Sequence, residues 1–328
     1  MTVRENYIDV AKGIGLILVI AGHLFTYGHG ISSIIFSFHM PLFFFLSGMV
    51  FRKRTMAWKN YLEKNVKRLI YPYVGYVLLG MVISMLIPAW HIDWTLRKIL
   101  ADLYLGAPEH FHVGQVWFLI CLFWVVIAYG WLHEHWLKAK DWKYKAIFML
   151  GVAVFAKLMA VMVVLLPGHR LPLKLDSAFM ALCFYGLGHL FHDNFAEWKN
   201  IVFRNDIYIF SGGTILLSWC NEWPNIAALM FPRLPLYLLF ALAGIVLSLN
   251  IAWRFQQVKI LQFAGRNSLE IFALHSFAIY AWCSLISWYT GMDILNGMNV
   301  PLWACIVGTI VIFPVMLVEV KLRKHLFL

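Results

Sequence analysis

Charged residues are scarce in this sequence. They make up 13% of its 328 residues, whereas 62% are hydrophobic and the mean hydropathy is +0.75. Soluble globular proteins carry about 25% charged residues, so the composition excludes an ordinary soluble fold. The apolar residues occur in runs of about twenty, the length at which a helix crosses a bilayer. Alternating segments of about ten residues, which are typical of outer-membrane barrels, are missing. The sequence therefore predicts an all-α, polytopic membrane protein.

The sequence also lacks the usual marks of disulfides, metals and secretion. None of its five cysteines belongs to a CxxC pair, and all of them lie in apolar runs, which is typical of small buried side chains. His110 and His112 have no cluster of further ligands nearby, so we expect no metal site and no bound cofactor. No small-residue cleavage site follows the first apolar run, and we expect no cleavable signal peptide.

We predict about ten transmembrane helices and a single membrane domain over residues 1–328. The spans are placed near 8–27, 31–51, 69–88, 114–132, 146–166, 176–193, 207–223, 234–253, 268–290 and 300–319. With both termini cytoplasmic, the inner segments hold twenty Lys and Arg residues and the outer segments hold five. This asymmetry follows the positive-inside rule. The net charge of +11 therefore reflects membrane topology, and we expect no nucleic-acid partner.

The first predicted helix concentrates polar chemistry inside an apolar run. Lys12 and His23 are separated by eleven residues, about 20° past three full turns, so both project from one face about 16 Å apart. Asp9 lies within about 40° of the same face. Ionisable groups in lipid usually mark a functional path. The alternative is structural: an Asp9–Lys12 pair at the interface and a His23 that bonds to a neighbouring helix.

Two further features involve cations. Residues 52–68 form the most basic segment, with seven Lys and Arg against one acid. An interfacial amphipathic helix that anchors the chain explains this charge, and so does a cradle for the phosphates of a cytoplasmic ligand; the two interpretations are compatible. Lys157 lies inside an apolar span and is expected to pair with an acid or to contact a ligand.

Three local patterns predict structure. The glycines of the segment Tyr185-Gly186-Leu187-Gly188 favour close helix packing. Asn267 and Glu270 have the spacing of a capping box at the start of the ninth span. Residues 133–135, His-Glu-His, are expected at the solvated surface.

The ordered set of motifs resembles acyltransferase family 3, whose members are integral membrane acyltransferases that often O-acetylate cell-surface carbohydrates. The matching features are Asp9, Lys12 and His23, FHMPLFFFLSG at 38–48, Arg68 followed by Pro72-Tyr73, Trp117-Phe118-Leu119, the Gly186/Gly188 region, and Gly265-Arg266-Asn267-Ser268 leading to His275. They cover nearly the whole chain. The form of 38–48 is similar to sugar O-acetyltransferases of the fucose-acetylase type. Of the Arg-x-x-Arg carried by some members, only Arg68 is matched, and no fused periplasmic domain is expected.

The resemblance implies a membrane O-acetyltransferase in the bacterial cytoplasmic (inner) membrane. It would move an acetyl group from cytoplasmic acetyl-CoA, bound as a substrate, to a hydroxyl of a carbohydrate or of its lipid-linked precursor. His23 is the expected catalytic base. The residues expected to bind acyl-CoA are Lys12, Lys64, Lys67, Arg68, Tyr73 and Arg266. The residues expected to support the site or the substrate are Asp9, His39, Trp117, Ser268 and His275.

Two alternatives stay open at this point. An acetyl-histidine at His23 competes with direct transfer as the chemical route. A transporter or flippase for a glycolipid would also use intramembrane Lys and His residues, although the two halves of the sequence show no inverted repeat.

Overall fold

The computed structural model describes residues 5–25, 30–52, 56–87, 95–166, 168–220, 222–292, 294 and 300–326. Helices make up 84% of the structure, and the described residues contain no strand, which confirms the all-α prediction. The α-helices found there are α1 (Asn6–Leu24), α2 (Ile31–Met49), α3 (Trp58–Asn65), α4 (Tyr71–Leu86), α5 (Leu96–Leu105), α6 (Trp117–Leu132), α7 (Trp142–Leu165), α8 (Leu175–Asp193), α9 (Phe195–Val202), α10 (Asn205–Leu216), α11 (Leu234–Arg254), α12 (Lys259–Arg266), α13 (Ser268–Thr290) and α14 (Leu302–Leu326).

The chain forms two compact units. Unit 1 contains Met1–Phe43, Ala196–Pro224 and Pro235–Leu328, and unit 2 contains Phe44–Phe195 and Asn225–Leu234. The boundary falls inside α2, so this helix contributes residues to both units.

Eight helical stretches among the described residues are long and apolar enough to cross a membrane. They are Asn6–Leu24, Ile31–Met49, Trp58–Leu86, Gly114–Leu137, Trp142–Leu165, Leu234–Arg254, Ser268–Thr290 and Leu302–His325. The two other predicted spans differ from these. Helix α8 is long enough, but Asp176, His189 and His192 make it less apolar. Helix α10 ends at Leu216 and continues only as a short 3₁₀ turn. The count of ten and the cytoplasmic termini stay predictions.

Two residues of the basic segment, Lys53 and Arg54, lie outside the described residues, and so does the side chain of His110.

Glycines bring α8 into backbone contact with the part of α2 that belongs to unit 2. A Cβ on Gly188 of α8 would overlap the carbonyl oxygen of Phe45 in α2. In return, a Cβ on Gly48 of α2 would overlap the carbonyl oxygen of Tyr185 in α8. A Cβ on Gly186 would overlap the Met149 side chain. Small residues allow this close approach between helices, and the predicted packing role of Gly186 and Gly188 is confirmed.

A π-helical stretch, Val66–Ile70, joins α3 to α4 in unit 2. Its cause is local, because Pro72 has no N–H and its ring would clash with the carbonyl of Arg68 four residues earlier in a regular α-helix. The wider stretch instead lets the N–H of Tyr71 bond to the carbonyl oxygen of Val66, five residues back. Such bulges are frequent at functional sites, and this one carries Arg68.

The structure corrects the expectation for residues 133–135. His135 is exposed, but His133 is only 5% exposed. Its ring centroid lies 5.2 Å from that of His189, which in turn meets the hydroxyl of Tyr129 at 2.7 Å through Nδ1. The His-Glu-His segment continues α6 as a π-helix, so helical rotation turns its first residue inward.

We expect Gly188→Ala to destabilise the protein by about 1–3 kcal/mol, because the new methyl group would meet backbone that cannot rotate away. The matched control is Gly151→Ala in α7, where a Cβ meets nothing within 4 Å. That variant should keep or slightly raise the stability, since Ala favours helix over Gly. Thermal unfolding of both variants in detergent measures the difference. Equal midpoints for the two variants would contradict the packing argument.

Candidate active site

Three histidines from three helices form a cluster in unit 1. His23 lies in the last turn of α1, His39 lies in α2 and His275 in α13. The ring centroids of His23 and His275 are 5.1 Å apart. The ring of Phe36 lies 4.7 Å from that of His39 and 6.1 Å from that of His23, so it joins these two. His39 is 3% exposed and His275 is 0% exposed.

Backbone carbonyls determine which nitrogens of two of these rings carry a proton. Nδ1 of His39 lies 2.9 Å from the carbonyl oxygen of Ile35, and Nδ1 of His275 lies 2.6 Å from that of Phe272. A carbonyl oxygen can only accept, so Nδ1 donates in both rings. In a neutral imidazole the lone pair is then on Nε2. Nε2 of His275 is buried and has no hydrogen-bond partner among the described residues. The cluster therefore presents a lone pair that no described protein group uses.

The helix that carries His23 is held against α12 by glycines. A Cβ on Gly13 of α1 would lie 2.5 Å from the carbonyl oxygen of Leu261. A Cβ on Gly265 of α12 would overlap the carbonyl oxygen of Asp9. With hydrogens at both positions, the two backbones touch. This contact fixes the position of α1 along α12.

An ion pair lies at the same contact. Oδ2 of Asp9 is 3.1 Å from Nε of Arg266; the Asp9 side chain is 5% exposed and that of Arg266 is 44% exposed. The arginine compensates a carboxylate that would otherwise be costly to bury. The Asp9–Lys12 pair stays a prediction, and spacing along one helix cannot indicate a partner 257 positions away. The predicted role of Arg266 toward the donor stays a prediction.

The junction between α12 and α13 is tied to α14. Asn267 occupies the N-cap position of α13, as predicted, but its side chain forms no capping hydrogen bond. Its Nδ2 donates to the carbonyl oxygen of Phe263 at 2.7 Å, and its Oδ1 accepts from Nζ of Lys324. Oε2 of Glu270 lies 3.1 Å from Nη2 of Arg323. The predicted capping box is wrong, because basic residues near the end of α14 bind both of its side chains.

The cations predicted to bind acyl-CoA in unit 2 are at the surface. Lys64, Lys67 and Arg68 are all exposed. Nζ of Lys67 lies 2.7 Å from Oε1 of Glu63, and both side chains are more than half exposed. A surface pair of this kind contributes little to stability. Because Lys64, Lys67 and Arg68 are exposed, their charges are accessible to an anion.

The other predicted residues occupy different environments. Tyr73 of α4 is buried at 7% exposure, and its hydroxyl has no hydrogen-bond partner in the described part of the chain. Trp117 begins α6, and its ring centroid lies 6.3 Å from that of Phe44. Lys12 in α1 and Ser268, the first residue of α13, are both half-buried in unit 1. The roles of all four stay predictions.

The family of the chain follows from a comparison with family models. The acyltransferase 3 model, whose description is acyltransferase domain, matches residues 5–319. The chain belongs to this family. Comparisons with curated proteins and with solved structures each gave no match. The family and the apolar helices together indicate a multi-pass membrane acyltransferase.

One aromatic group beside the histidine cluster of this acyltransferase was missed in the sequence. The ring centroid of Trp223 lies 4.8 Å from that of Phe36. This contact joins two segments that are distant along the chain. No local signal in the sequence could have indicated it.

Lys157 of the acyltransferase contacts backbone rather than an acid. Its Nζ donates to the carbonyl oxygen of Phe231 at 2.6 Å. Nearby in unit 2, Nζ of the buried Lys174 donates to the carbonyl oxygen of Ala227 at 3.1 Å. Burial lowers the pKa of Lys174, and the positive charge of Arg170 adds to this effect. These cations hold the segment that precedes α11, which is a structural role.

Four cysteines of the acyltransferase, Cys121, Cys183, Cys283 and Cys305, are buried and free, as expected of small apolar side chains. Among the described residues, no group of three His, Cys, Asp or Glu side chains is arranged to hold a metal ion.

We expect Arg266→Ala to lower the free energy of unfolding by about 1–3 kcal/mol, because it removes a charged partner from the buried carboxylate of Asp9. The matched control is Arg204→Ala. It removes a partner that lies 2.5 Å from Asp206, but both of those side chains are about 60% exposed, so the loss should be much smaller than that of Arg266→Ala. Thermal and denaturant unfolding in detergent measure both. Unchanged stability of Arg266→Ala together with a raised KM for the acyl donor would instead assign Arg266 to donor binding.

Proposed function

We propose that the protein transfers an acetyl group from cytoplasmic acetyl-CoA to a hydroxyl of a cell-surface carbohydrate or of its lipid-linked precursor, in the bacterial cytoplasmic membrane. The observation that carries the proposal is the histidine cluster of His23, His39 and His275 in a chain of the acyltransferase 3 family. Imidazole is the side chain best suited to general base catalysis near neutral pH.

The reaction needs a base, because a sugar hydroxyl is a poor nucleophile until its proton is removed. In the proposed step, His23 removes the proton as the hydroxyl oxygen attacks the thioester carbon. The new C–O bond forms, the C–S bond breaks, and the proton passes from His23 to the departing CoA thiolate. The products are the acetyl ester and free CoA, so the step balances without a further reactant.

His275 supports His23 in this scheme. Its ring lies 5.1 Å from that of His23, and its Nε2 lone pair is unused by the described protein groups. The Nδ1 hydrogen bond to Phe272 holds the ring in the orientation that keeps Nε2 an acceptor. Nε2 can therefore accept a hydrogen bond from His23 or from the acceptor hydroxyl. His39 donates from Nδ1 to the carbonyl oxygen of Ile35 in the same way, and its ring packs on Phe36.

Asp9 has a different role from the acid of a catalytic triad. Fourteen residues separate it from His23, about 21 Å along α1. This separation is too large for a hydrogen bond between the two side chains. Asp9 instead contacts Arg266 at the junction that positions α13.

The donor residues complete the proposal. The exposed Arg68, Lys64 and Lys67 carry the charge that suits the phosphates of CoA, and the planar fork of Arg68 can bind phosphate through two hydrogen bonds. Lys12 is proposed to line the entry for the pantetheine part of the donor, and Tyr73 is proposed as a donor-binding residue. Trp117 and Ser268 are proposed as supporting residues.

The test uses purified protein in lipid nanodiscs with acetyl-CoA and a panel of sugars and native envelope glycan. We expect thiol release that requires an acceptor. His23→Ala and His275→Ala should each lower kcat by at least about 100-fold, the usual contribution of a positioned base or its partner. The control His135→Ala changes an exposed histidine and should keep the activity of the wild type.

Three outcomes would contradict the proposal. Unchanged thiol release by His23→Ala would remove this residue from the chemistry. Release at equal rate with and without acceptors would indicate hydrolysis rather than transfer. Absence of release with every acceptor, together with absence of acetyl-CoA binding, would favour the transporter alternative.

A single-turnover experiment separates the two chemical routes. The protein is mixed with radiolabelled acetyl-CoA, without an acceptor, and quenched. Direct transfer predicts that no label stays on the protein, because the acetyl group leaves CoA only when a hydroxyl attacks. Label on wild type that is missing from His23→Ala would instead establish an acetyl-histidine intermediate.

A further inference from the structure

The indole of Trp223 has a polar group that the protein leaves unused. Its Nε1–H is shielded from solvent and has no hydrogen-bond partner in the part of the chain that the structure describes. Two other indoles differ: Trp124 donates to the carbonyl oxygen of Leu173 and Trp282 to that of Ala304, both at 3.0 Å. A buried donor without a partner costs about 1–3 kcal/mol, and each such group in a native structure calls for an explanation.

The position of Trp223 beside the histidine cluster explains why its N–H has no protein partner. Its ring packs on Phe36 at 4.8 Å with an interplanar angle of 58°, and Phe36 packs on both His39 and His23. An unused donor on Trp223 and an unused acceptor on His275 therefore belong to one aromatic cluster in unit 1. A ligand that satisfies both must carry at least one acceptor and one donor.

We propose that Trp223 binds the acceptor substrate and selects a sugar ring over a simple alcohol. The inference rests on the function proposed above and specifies its acceptor side. One sugar hydroxyl accepts from Nε1–H at the edge of the indole, and a second hydroxyl is the one that gives its proton to the histidines. A simple alcohol has a single hydroxyl and no second group for Trp223, so it leaves the indole donor unsatisfied.

Trp223→Phe tests the donor because it keeps an aromatic ring and removes the N–H. We expect KM for the sugar acceptor to rise about tenfold, the loss of one hydrogen bond of about 1.4 kcal/mol. The expected KM for acetyl-CoA is that of the wild type. The preference for methyl glycosides over cyclohexanol should fall by a similar factor. The control Trp219→Phe changes an indole nearby in the sequence that is 56% exposed, and it should change none of these values.

A binding experiment gives a readout that does not depend on turnover. Saturation-transfer NMR of methyl glycosides with the protein in nanodiscs should show contact to the C–H protons of the sugar in wild type and Trp219→Phe. Trp223→Phe should weaken this contact, and Trp223→Ala should abolish it.

The results separate the inference from the proposed function. Glycoside binding that depends on Trp223, without acyl transfer, would support the inference and contradict the function. Acyl transfer with an unchanged acceptor KM in Trp223→Phe would overturn the inference alone. A wild type that binds none of the glycosides, or equal losses in Trp219→Phe and Trp223→Phe, would also overturn it.

Discussion

Contact between the backbones of α1 and α12 is the constraint on which the histidine cluster depends. Gly13 and Gly265 remove the side chains that would keep the two helices apart. Because α13 follows α12 after a single residue, the position of α12 against α1 also sets where α13 begins. The position of His23 relative to His275 therefore depends on two glycines, which lie far from either ring and have no functional group.

Polar groups at the helix junction of unit 1 differ from those at its aromatic cluster. At the helix junction they are matched: Asp9 with Arg266, Glu270 with Arg323, and Asn267 with Lys324. At the aromatic cluster, Nε2 of His275 and Nε1 of Trp223 have no partner among the described residues. Most buried polar groups in native proteins are hydrogen-bonded, so the contrast separates the structural end of this unit from the end where a substrate is expected.

Local patterns in the sequence predicted local structure. Hydropathy predicted the all-helical fold, and the glycines at 186 and 188 predicted close packing. The number of spans stays a prediction, since Asp176, His189 and His192 make α8 less apolar than the other spans and α10 is short. The capping box failed because Asn267 and Glu270 have stronger partners on α14. The pairs Asp9–Arg266 and Phe36–Trp223 depend on tertiary packing, which spacing along one helix does not encode.

The glycine contact also has a consequence for engineering. Any side chain larger than hydrogen at Gly13 or Gly265 would push α1 and α12 apart. Almost no substitution at these two positions is therefore expected to be neutral. Side chains around Phe36 meet other side chains, which can repack one at a time. Libraries of variants meant to change the substrate specificity should target the side chains around Phe36 and leave Gly13 and Gly265 unchanged.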